Sequence, residues 1–72
     1  MTAAEFAAAI DTLGWSGAEA ARILGLSSDT RVSEWRRGHK AVPAYIAASV
    51  RAHLRLARVA ETVAAHDVEP TA

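Results

Sequence analysis

The sequence predicts an all-α fold, a small four-helix domain with two short helices around a tight turn and a long C-terminal helix. Three observations predict it. Alanine is abundant, inflating the hydrophobic fraction to 51%, and Ala is the best helix former. The β-branched residues are scattered, with no alternating apolar and polar run of the kind a half-buried strand needs. Start and stop residues then divide the chain into four segments whose apolar positions recur at helical spacing.

The first helix runs from about Thr2 to Leu13. Thr2 with Glu5 three residues later makes a capping box, in which each side chain satisfies a backbone N–H of the other. Phe6, Ile10 and Leu13 mark its buried face, and Gly14 stops it. Ser16 with Glu19 repeats the capping box and opens a second, short helix. Ala20, Ala21, Ile23 and Leu24 are its apolar positions, and the two alanines let a neighbouring helix approach closely. Gly25 is suited to the left-handed residue that ends this helix, and Leu26 plugs the turn. Ser27 or Ser28 caps the third helix, with Asp29 in its first turn. That helix runs to about Arg37 and stops at Gly38, with Val32 and Trp35, three apart, turned inward. His39 to Val42 connect to Pro43, which is preorganised for the first position of a helix. The fourth helix is expected over 43–66, and 67–72 read as a frayed acidic tail.

A chain of 72 residues forms one domain, 1–66, with a small core. It contains no Cys, and His39, His53 and His66 are far apart, so no metal site and no cofactor are expected. No Ser/His/Asp constellation or phosphate loop is present, so no catalytic residue is assigned and an enzyme is not expected. No apolar run approaches the roughly 18 residues of a membrane span, and no basic leader is evident, so the expectation is a cytoplasmic protein without membrane or small-molecule partners.

The formal net charge is zero, but the charges are segregated. Residues 1–30 carry −3, residues 31–58 carry +6 and residues 59–72 carry −3. Salt screens exposed charges beyond about 8–10 Å, so a polyanion meets the local basic field rather than the sum. The basic stretch begins inside the third helix. Residues 16–38 therefore read as a helix-turn-helix whose second helix can enter the DNA major groove.

The same residues carry a family resemblance. Ser16, Ala21, Leu24, Gly25, Leu26, Ser27, Val32, Ser33, Trp35 and Gly38 fall on a pattern that resembles the helix-turn-helix of the Cro and repressor-type (XRE-like) transcriptional regulators. The continuation from Gly38 to Pro43 is similar to the small phage-type branch, which includes anti-CRISPR-associated autorepressors. The resemblance spans about residues 5–56. Between Gly25 and Trp35 this chain has one residue more than the usual spacing, placed among Ser28, Asp29, Thr30 and Arg31. What the resemblance implies is a repressor that binds double-stranded DNA and excludes polymerase, often at its own promoter.

Base edges are read by short polar or forked side chains near the start of such a helix. Thr30, Arg31, Ser33 and Glu34 fit, with Arg31 matching guanine and Glu34 able to accept from the cytosine amino group. Asp29 reads two ways, as a base contact or as a helix-start residue whose charge repels phosphate. Arg36, Arg37, His39 and Lys40 suit phosphate contacts, and Ser16 with the first amides of the second helix forms another anchor. The fourth helix, at roughly 34 Å, is longer than three short helices can cover. Its apolar arc is too broad for one packing partner, and Tyr45, Ile46, Val50, Leu54 and Val59 are assigned to a homodimer interface. Arg51, Arg55 and Arg58 make a separate solvated stripe. A two-fold dimer would set two reading helices about 34–36 Å apart and call for an inverted-repeat operator. A second class of function is open on the same scaffold: a protein-binding module such as an antitoxin, an anti-CRISPR protein or a phage inhibitor. The zero net charge and acidic ends favour it.

Overall fold

The computed structural model describes residues 1–68, which form four α-helices: α1 (Ala3–Leu13), α2 (Gly17–Ile23), α3 (Thr30–Arg37) and α4 (Ala44–Val68). No strand occurs among the described residues. Both capping boxes form. Thr2 N–H donates to Glu5 Oε1 at 2.8 Å and Glu5 N–H to Thr2 Oγ1 at 3.1 Å. At α2, Ser16 N–H donates to Glu19 Oε1 at 3.4 Å and Glu19 N–H to Ser16 Oγ at 3.1 Å.

The turn between α2 and α3 closes as the sequence requires. Leu26 N–H reaches back to the Ala21 carbonyl at 2.8 Å, and Gly25 takes the left-handed φ of 76° that this closure needs. Two starts differ from expectation. Neither Ser27 nor Ser28 caps α3; they lie in a bend, and Asp29 holds the N-cap position without a side-chain cap bond. Its carboxylate is turned instead toward α2, 3.5 Å from where a Cβ on Gly17 would stand. There it faces the partial positive charge of the α2 N-terminus. At the other junction, Pro43 occupies the cap position, its carbonyl accepting Ala47 N–H at 3.0 Å, so α4 begins at Ala44. The helix also runs past its expected end, through Asp67 to Val68. The rest of the expected tail, 69–72, lies outside the described residues.

α1 is the hub, packing on α3 and α4, while α2 packs on α3. The core gathers Phe6, Ala9 and Ile10 of α1, Ala20 and Ala21 of α2, Val32 and Trp35 of α3, and Ile46 and Val50 of α4. Phe6 meets the Trp35 ring edge-on, centroids 5.7 Å apart and planes at 81°, the arrangement favoured by the ring quadrupoles. Trp15, half-buried, presents a similar edge contact to His53 of α4 at 5.0 Å. Both tryptophans are thus packing residues.

α4 splits into two halves. Ile46, Ala47 and Val50 are buried and Leu54 packs against the core, whereas every residue from Arg55 to Val63 is exposed. The molecule measures 53 × 21 × 17 Å, and its radius of gyration of 14.6 Å exceeds the roughly 11 Å of a compact chain this size. The excess is α4 projecting beyond the globule. No helix among the described residues is long and apolar enough to cross a membrane.

Candidate nucleic-acid interface

α3 is set by what it buries. Val32 and Trp35 face the core, which at 3.6 residues per turn places Thr30, Ser33, Glu34 and Arg37 on the opposite, outward side. Arg31 and Arg36 take the two flanks. Of the expected base-reading set, Thr30, Ser33 and Glu34 therefore share one face. Arg31 is exposed beside them and lines a small groove of about 250 Å³ with Gly25, Leu26, Ser27 and Ser28. Asp29 stands apart, its carboxylate packed over Gly17 as described.

The basic residues divide by partner. Arg36 donates through Nη2 to Asp11 Oδ1 at 3.0 Å and so ties α3 to the end of α1. Its guanidinium thus faces a carboxylate of its own chain, and a phosphate there would compete with Asp11. Lys40 Nζ lies 3.5 Å from Glu34 Oε2, so a residue expected at phosphate faces one expected at a base. Both pairs are solvent-accessible and hold only weakly, being screened by salt. Arg31, Arg37 and His39 form no ion pair among the described residues and are exposed. Of the basic residues in and just after α3 they are the ones left open to a phosphate or base, and Arg37 sits on the outward face itself. Asp11 was not singled out from sequence; it lies 25 positions before Arg36, and no local spacing announces such a pair.

The start of α2 lies beside this surface through the Gly17–Asp29 contact. Ser16 Oγ accepts the Glu19 N–H but keeps its own proton to donate. The Glu19 carboxylate occupies the Ser16 N–H at the same helix end and opposes an incoming phosphate there. A shallow groove of about 480 Å³ runs from Ala18, Ala21 and Arg22 of α2 to Leu26, Ser28 and Asp29, so the turn presents a concave edge next to α3.

The expected dimer residues do not form one surface. Ile46 and Val50 are 1% and 0% exposed, and Leu54 packs against the same core. This corrects the assignment of Ile46 and Val50 to a homodimer interface, because they are spent on the core; Leu54 is only half-buried. Tyr45 and Val59 are 64% and 58% exposed, and Leu56 and Val63, not assigned from sequence, join them. Stepping three and four residues from Val59 reaches both, so the signal was in the spacing.

Away from α3, the Thr2 cap lowers the Glu5 pKa below its ordinary value: the Thr2 N–H and hydroxyl bond to the carboxylate, and Arg51 adds a smaller attraction. No protein-family model, curated protein or solved structure matches this chain.

Proposed function

We propose that this chain is a sequence-specific, double-stranded DNA-binding transcriptional regulator, a cytoplasmic, non-enzymatic homodimeric repressor that acts by occupying an inverted-repeat operator. One observation carries the reading. α3, held to the globule by buried Val32 and Trp35 and by the Arg36–Asp11 pair, turns a wholly polar face outward, with Arg31 and Arg37 forming no ion pair among the described residues at its edge and end. A buried apolar side and a free polar side are what a helix needs to dock in a major groove while staying attached to its domain. The +6 charge of residues 31–58 supplies the sequence-independent attraction to phosphates. The family resemblance supports autoregulation, with the operator at the chain's own promoter, as one form of this reading.

Selection of bound sequences from a random duplex pool tests the proposal. The expected product is a two-fold symmetric site with half-sites about one helical turn apart. Absence of enrichment at low salt overturns it and favours the protein-binding module. On the selected site, Arg31→Ala is expected to relax preference at one or two positions by about 1–3 kcal/mol. Equal loss on specific and random duplexes would make Arg31 a phosphate contact instead.

A further inference from the structure

All four large apolar side chains left exposed among the described residues belong to α4: Tyr45, Leu56, Val59 and Val63, the last two 58% and 53% exposed. At 3.6 residues per turn they fall within an arc of about 60°, with exposed Ala52 on the same line. The arc lies opposite the buried Ile46 and Val50, on the side of α4 turned away from α1–α3. The steps from 45 to 52, 56, 59 and 63 are those of a heptad seam.

The exposed area is on the order of 500 Å² per protomer, comparable with the largest apolar patches of monomers and over half of one side of a standard interface. The projecting segment beyond Leu54 is also of the length, about 12–15 residues, at which an isolated helix is only marginal in water. A second helix against the stripe answers both costs.

We propose that this stripe docks a second copy of the chain as a parallel, in-register pair of α4 helices. The chain's own charges choose that arrangement. In parallel register each large side chain stacks on its counterpart, and Arg55 falls beside Ala60 of the partner subunit. An antiparallel pair that covers Tyr45 with Val63 of the partner subunit brings the two Arg55 side chains together. One that separates them sets Tyr45 opposite position 70, which is Pro70, a residue unsuited to a helix interior. Parallel helices also put both globules at the same end of the seam, where one two-fold axis relates the two α3 helices. The proposal rests on the regulator reading for its use on DNA, but the seam itself is tested without DNA.

Sedimentation over a range of concentrations is expected to show wild-type protein moving from 7.6 kDa to twice that mass. Leu56→Glu should weaken the dimer by about a hundredfold or more, since it places a charge in the middle of the seam. Ala57→Glu, one residue away and off the seam, should leave it unchanged. Fluorescence of Trp15 and Trp35, both in the globule, checks that Leu56→Glu remains folded. Because the chain has no cysteine, Val63→Cys reports on register alone. It should cross-link to itself under oxidation, with no cross-link between a singly substituted Ala52→Cys chain and a Val63→Cys chain. A wild-type monomer at all concentrations, or a dimer indifferent to Leu56→Glu, overturns the seam; the reverse cross-linking pattern overturns the parallel register. Sequence-selective DNA binding by a monomer would remove the seam and keep the regulator, whereas a dimer without sequence preference would do the opposite.

Discussion

The two halves of α4 are built from the same residue types and meet opposite fates. Val50 is fully buried against α1, and Val59, nine residues on, is 58% exposed. Both sit in a continuous helix, and both belong to an apolar line at helical spacing. The difference is where the short helices end: α1 is only 11 residues long and covers α4 no further than about Leu54. An apolar line therefore marks a face that wants a partner, and the geometry of the neighbours decides whether that partner is the same chain. The uncovered line runs on the other side of the helix, from Tyr45 beside the globule to Val63 beyond it.

The strongest way to break the comparison is to remove the floor of the globule. Trp35→Ala deletes a 3% exposed ring that meets Phe6 edge-on, and a loss of about 3–5 kcal/mol is expected. In so small a domain that abolishes the cooperative thermal transition by circular dichroism. A sharper test uses one substitution at two places. Val50→Ala should cost about 2 kcal/mol from lost burial and the cavity left behind. Val59→Ala, compared in the monomeric Leu56→Glu background, should change denaturant stability by less than about 0.5 kcal/mol. Equal losses at both sites would mean that the projecting half packs on the globule after all.

Smaller effects probe the helix starts. Ser16→Ala removes the acceptor of the Glu19 N–H and should cost about 1 kcal/mol, with α2 loosening first in amide exchange. The smallest belongs to Glu5. Its pKa is lowered in the folded protein, so its contribution is present above the ordinary value of 4.5 and lost as pH falls through the folded value. Thr2→Ala should therefore flatten the fall in stability below about pH 4.5 and leave the neutral range little changed in slope. A stability curve equally steep without Thr2 would assign the acid limb to other carboxylates.

Much of this architecture was legible in residues taken a few at a time. Thr2 and Glu5, Ser16 and Glu19, Gly25 and Gly38 act within one turn of chain, so their caps and stops could be read without knowing the fold. Inward Val32 and Trp35 followed from a spacing of three. The start of α3 was not legible. Ser27, Ser28 and Asp29 are all good capping residues, and the one at the N-cap, Asp29, turns its carboxylate toward Gly17 of another helix instead of capping its own. Among the basic residues in and just after α3, residue chemistry picked out the group but could not sort its members by partner. Arg36 and Arg37 are neighbours in sequence, yet one is bonded to Asp11 and the other is exposed on the outward face.

The sequence by itself determined the helices, their limits within a residue or two, and the segregation of charge, because capping, glycine stops and helical periodicity are local forces. Only the tertiary structure decided which apolar face of α4 is core and which is free, which arginine is tied and which is open, and where Asp29 points. Those outcomes depend on the lengths and approach of separate helices, and a contact across 25 positions of chain leaves no periodic trace in either of its partners.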